Sequence, residues 1–174
     1  MLLITGTSLL ISILPIVCLG LILAASLHDI VARTVPNGLA LALALVGIAA
    51  GALDGYLFGS LLAAGIVFVL SAVCWRRGWM GGGDVKLLGA AALGMPPSSV
   101  LTFVAAVAIA GGLLALVYLA ARQLVSAPAA PRPNRLVARA MRVERWRIGR
   151  GGPLPYACAI AAGFLFVIVS GPTP

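Results

Sequence analysis

Charge is scarce in this chain. Of its 174 residues, 12 are Lys or Arg and four are Asp or Glu, while 62% are hydrophobic. A water-soluble domain of this length needs far more polar surface, so a soluble fold is excluded. Intrinsic disorder requires low hydrophobicity and is excluded by the same numbers. A mean hydropathy of +1.15 points instead to an integral membrane protein. No Lys or Arg precedes Arg33, so the apolar run Leu9–Leu27 lacks the basic flank of a signal peptide. It is also long for one, and reads as a retained span. Cysteine is rare too: Cys18, Cys74 and Cys158 lie in or beside apolar segments, and no C-x-x-C occurs. Neither a disulfide framework nor a zinc site is indicated, and the three read as small apolar side chains.

Long apolar runs are what the chain does have. Six are visible, near Leu9–Leu27, Gly38–Leu53, Leu57–Trp75, Val85–Gly94, Val100–Ala121 and Pro155–Ser170. Helices are expected, because an isolated strand cannot satisfy its backbone in lipid. Their many Ala and Gly residues suit close helix contacts. Val85–Gly94 is too short to cross unaided; it is either a half-span or continues past Pro96 and Pro97. The basic residues Arg33, Arg76, Arg77 and those from Arg122 to Arg150 fall in connections on one side if all six segments cross. That side is then cytoplasmic and both termini are outside. The expectation is an all-α polytopic membrane bundle of about six transmembrane helices. It forms one domain over 1–174, with 122–153 as a basic cytoplasmic loop.

That loop begins with a Pro/Ala linker, Ser126–Pro133. Beyond it Arg135, Arg139 and Arg142 share one helical face, and Leu136, Val137, Ala140 and Met141 another. Such a basic amphipathic helix suits anionic membrane lipid. The positive-inside pattern already accounts for the arginines, so no nucleic acid is expected as a partner.

The four acids separate into two kinds. Asp54 sits in an outer turn, and Glu144 lies among arginines as a surface ion-pair partner. Asp29 closes the first apolar segment and Asp84 opens the fourth, so the topology brings both to one depth on the inner side. A carboxylate there is a functional candidate. Singly, each has a structural reading: Asp84 as a helix cap, Asp29 as an interfacial residue reaching water. Together they have another. Two close carboxyls share a proton, and the ionised one can take a proton from water while the protonated one polarises a peptide carbonyl. This aspartic peptidase chemistry needs no metal and no cofactor. The glycines Gly81–Gly83 would let backbone approach Asp84 closely.

"GGGDVKLLGA" carries Gly81-x-Gly83-Asp84, the G-x-G-D signature of intramembrane aspartic peptidases, and its continuation resembles the prepilin peptidases (type IV prepilin/preflagellin) in particular. Asp29-x-x-x-Arg33-x-Val35-Pro36-Asn37 is similar to that family's D-x-x-x-R-x-[IV]-P-N, and "PYACAIAAG" from Pro155 to its final helix. The resemblance implies a six-helix membrane protein that cleaves type IV pilin-like precursors at the cytoplasmic face, between a basic leader and a hydrophobic helix. Asp29 and Asp84 would be the catalytic pair. The early cysteine-bearing insert of larger, N-methylating relatives is missing, so the chain looks like the short, tight-adherence (Flp) or preflagellin type. Methyltransferase activity is not expected. A bacterial or archaeal inner membrane is the implied location.

Helix dipoles assign the charge to Asp84, at a helix start, and the proton to Asp29, at a helix end. Lys86 is expected to support a nearby carboxylate or to snorkel to headgroups. Arg33 would position its loop or touch headgroups, Pro36 would break the chain and Asn37 would cap the second helix. His28 reads as a surface histidine. Two other classes stay open: a small proton- or cation-coupled transporter component, in which the acids bind the ion, and a non-catalytic scaffold. No internal repeat supports the transporter. The oligomeric state is open, a homo-oligomer included.

Overall fold

A computed structural model describes residues 2–124, 136–149, 152 and 154–171. Among them it forms seven helices and no strand: α1 Leu2–Ala32, α2 Asn37–Leu53, α3 Leu57–Arg76, α4 Gly82–Leu93, α5 Pro97–Leu124, α6 Leu136–Gly149 and α7 Tyr156–Ser170. The breaks fall where the backbone requires them. Gly55 and Gly78 turn with φ of 77° and 76°, a conformation costly for other residues. Pro97 opens α5, where its missing N–H is no loss. The fourth segment therefore stops at Leu93 and does not continue past Pro96 and Pro97. At α2 the expected cap moves by one residue: Pro36 is the N-cap, and its carbonyl accepts the N–H groups of Leu39 and Ala40. Asn37 is the first helical residue and its side chain makes no cap.

Among the described residues three helices are long and apolar enough to cross a membrane: Ser12–Ala32 of α1, α3 and α5. The apolar α2 and α7 are shorter, and α4, with 12 residues, reaches only about 18 Å. Packing is inverted relative to a soluble protein. Large side chains such as Ile16, Leu27, Phe58, Leu70, Leu101 and Leu116 face outward, while Ala64, Ala90, Ala91, Ala92, Ala157 and Ala161 fill the core. Lipid tails solvate leucine as well as the interior does, so the helices gain by placing small residues where they meet.

The short α4 is the hub of the bundle: it packs against α1, α2, α3, α5 and α7, and Val85 and Leu87–Ala92 are buried. A Cβ on Gly47 of α2 would lie 2.8 Å from the nitrogen of Gly94, so α4 ends against the middle of α2. Gly94 and Met95 are buried there, which shields irregular backbone from the apolar surroundings. At the other end of the bundle the C-terminal ends of α1 and α3 meet the N-terminal ends of α2, α4 and α7. The amphipathic α6 packs on α5. The linker Ser126–Pro133, Arg135, Arg150 and Pro172–Pro174 lie outside the described residues. So do the side chains of Leu136, Val137, Arg139, Ala140 and Met141, on which the two-faced reading of this helix rests.

Candidate functional site

Asp29 sits in the last turn of α1 and is buried, 7% exposed. Its carboxylate accepts the backbone N–H of Ala157, in the first turn of α7. The carbonyl of the same residue accepts the Ser26 hydroxyl at 2.8 Å. One turn of α1 thus holds both polar groups of Ala157, and α7 supplies an otherwise orphaned helix N-terminal donor to the acid. This corrects the dipole argument. Asp29 closes one helix but its carboxylate lies at the start of another, so helix ends do not distinguish the two acids.

Asp84 is the third residue of α4, not its cap; Gly81 holds the N-cap position. The carboxylate reaches back to the Gly81 N–H, as the acidic half of a capping box does. Asp84 stands at the mouth of a helix too short to span. Both acids line a cavity of about 270 Å³ with Arg33, Gly81–Gly83 and Lys86. A second cavity, of about 550 Å³, is also lined by both acids, with Trp79, Met80, Gly111 and Tyr156. The glycines bring the walls together: a Cβ on Gly83 would lie 3.1 Å from the Val35 side chain. The chain's own α1–α2 corner makes the close approach at Gly83.

Arg33 follows α1 in a left-handed conformation, φ 55°. Its N–H donates to the Asp29 carbonyl at 2.8 Å, the αL helix stop that usually employs glycine. An arginine there costs about 1 kcal/mol of backbone strain. Its guanidinium donates to Glu144 of α6, which also accepts the Tyr118 hydroxyl from α5. Arg147 donates to the carbonyls of Ile30 and Val31 at 2.8 and 3.2 Å, the orphan acceptors of the last turn of α1. It also meets Glu144 at 3.3 Å. Glu144 is therefore no surface partner: its side chain is 19% exposed, against 12% for Arg33. Burial pushes the Glu144 carboxyl up, but the Tyr118 hydroxyl, Arg33 and Arg147 outweigh it and hold the group below the usual carboxylate range.

Lys86 points its ammonium at Asn37 Oδ1, 2.9 Å away, and among the described residues it forms no ion pair with Asp84. The bond ties α4 to the start of α2, next to Pro36. His28 donates from Nδ1 to the Thr34 carbonyl at 2.7 Å, a local closure of the α1–α2 corner. Among the described residues no group of three or more His, Cys, Asp or Glu could hold a metal ion. Glu144, Tyr118, Arg147 and Ser26 were not singled out for this site by sequence. One signal was available: Glu144 is the sole acid among the arginines of its loop.

Residues 16–116 match the type IV leader peptidase family. That stretch contains both acids, the glycine triad and the α1–α2 corner. Neither a curated protein nor a solved structure matches the chain. With several apolar helices and over half its length matched, the chain belongs to the type IV leader peptidase family and is a multi-pass membrane protease of the leader-peptidase type.

Proposed function

We propose that this protease is an aspartic endopeptidase that cleaves the basic leader from a type IV pilin-like, Flp-type precursor at the cytoplasmic face of a bacterial or archaeal inner membrane. One observation carries the reading: two acids on different helices, Asp29 and Asp84, line the same cavity where helix ends converge. Positive charge gathers beside Asp29: Arg33 follows it by one turn and donates its N–H to the Asp29 carbonyl, and Arg147 holds the carbonyls of Ile30 and Val31. The shared proton is accordingly assigned to Asp84, the reverse of the dipole-based assignment.

Asp29 takes a proton from a water molecule, and the water oxygen bonds to the scissile carbonyl carbon. Asp84 gives its proton to the carbonyl oxygen, producing a neutral gem-diol. The proton on Asp29 then passes to the amide nitrogen and the C–N bond breaks. A hydroxyl proton returns to Asp84, leaving a free acid and a free amine with no covalent intermediate. Methyl transfer is not part of the reaction.

In this reading the chain passes the bilayer six times, and α4 makes the fourth passage as a short helix enclosed by the others. Both termini are outside, and α6 rests on anionic lipid. Both acids at one end of the bundle favour hydrolysis there over ion passage through the middle. The test is co-expression with a candidate precursor and sequencing of its new N-terminus. Wild type yields a single cut before the hydrophobic helix, and Asp29→Asn and Asp84→Asn each leave the precursor intact. Cleavage by both variants at the wild-type rate would sink the reading.

A further inference from the structure

Glu144 lies outside every motif that pointed to the site and outside the matched residues 16–116. Yet three helices meet on its carboxylate: Arg33 after α1, Tyr118 of α5 and Arg147 of α6 itself. Arg147 in turn occupies the open carbonyls of Ile30 and Val31, the two residues that follow Asp29. Half-buried polar groups that satisfy one another in this way fix geometry, because breaking one leaves the others unpaired. We propose that α6 is a strap, and that Glu144 is a positioning residue that sets Asp29 through Arg33 and Arg147. The inference rests on the peptidase reading, and adds to it a role for the basic cytoplasmic segment.

The mechanism is a clamp. Arg33 is held in a left-handed backbone conformation, which persists where surrounding contacts over-determine it. The Nε and Nη1 atoms of Arg33 are buried without a partner, so the bond from Nη2 to Glu144 is what anchors this side chain. Releasing it frees the α1–α2 corner, which carries Val35 against Gly83. The two acids then lose their register. Supporting groups of this kind act on the chemical step by holding a reacting group within a fraction of an ångström.

The experiment uses the full-length protein in detergent or liposomes and the precursor described above. Glu144→Gln keeps the shape and removes the charge. It should lower kcat about tenfold and leave KM within about twofold, because the substrate contacts survive while the acids are misplaced. Arg33→Gln should do the same, and the double variant should lose no more than about twice the larger single effect, as members of one network do. Amide exchange read by mass spectrometry should rise over residues 30–36 in Glu144→Gln and stay unchanged in α2 and α3. Should Glu144→Gln fail to accumulate, Tyr118→Phe removes one hydroxyl and should shift kcat and exchange in the same direction by less. Wild-type kcat and unchanged exchange in these variants overturn the strap, as do multiplicative single effects. A wild type that cuts no precursor overturns the peptidase reading instead, and the exchange result still decides the strap.

Discussion

The carboxylate of Asp29 accepts the backbone N–H of Ala157, and with the Ser26 hydroxyl on the Ala157 carbonyl it ties the first helix of the bundle to the last. An asparagine can keep that bond through Oδ1 but cannot take a proton from water. Asp29→Asn should therefore fold with a melting temperature close to wild type and lose cleavage by about a thousandfold or more. Asp29→Ala should lose both activity and stability, because the Ala157 donor is left buried without a partner; about 1–3 kcal/mol is expected. Thermal melts in detergent beside precursor cleavage separate the two effects.

Asp84 gives a dependence on pH through the reaction itself. Cleavage that needs the proton on Asp84 should decline as pH rises and that proton is lost. Asp84→Asn should be inactive at every pH and still fold, because an asparagine Oδ1 can accept the Gly81 N–H as the carboxylate does. A cleavage profile flat from pH 5 to about 8 would assign the proton elsewhere.

Much of this arrangement was legible because its parts are coded locally. Each apolar run marked in the sequence is a helix, and the glycine triad sits at the start of α4, where Asp84 was placed. Asp29 and Asp84, paired by the sequence reading, line one cavity. What escaped were contacts set by tertiary packing. The α7 N-terminus against Asp29 cancelled the dipole argument, and no pattern in "PYACAIAAG" encodes that direction. Glu144 sits 111 positions from Arg33, in a segment whose many arginines suggested only a surface ion pair for it. The number of crossings is less legible for a plainer reason: α4 is enclosed by other helices, so its length does not decide whether it crosses.

Adjacent glycines on α5 make a sharp contrast. A Cβ on Gly111 would meet Tyr156 at 2.6 Å, whereas one on Gly112 meets nothing within 4 Å. Gly112→Ala should stabilise the helix by up to about 1 kcal/mol without touching activity. Gly111→Ala gains the same helix preference but drives the far end of the Tyr156 ring from its place beside the acids. It should lower cleavage about tenfold with little net change in melting temperature. Equal behaviour of the two variants would contradict this packing.

Lys86 offers the most economical test of which supporting residues act on the chemistry. Its ammonium lies 2.9 Å from Asn37 Oδ1 in an exposed bond, and the pair joins α4 to α2 beside the cavity. An exposed bond of this kind contributes about 1 kcal/mol or less. Lys86→Met should therefore cost little stability and keep cleavage within about threefold of wild type, and Asn37→Ala should match it because the two residues share one contact. A loss of about a hundredfold in Lys86→Met alone would mean that the ammonium turns from Asn37 to an acid once a precursor is bound. A salt bridge to Asp84 would then hold that carboxyl ionised and return the role of base to it. Measuring kcat for both variants at neutral pH thus decides between a tie that only braces two helices and a cation that sets the charge of the pair.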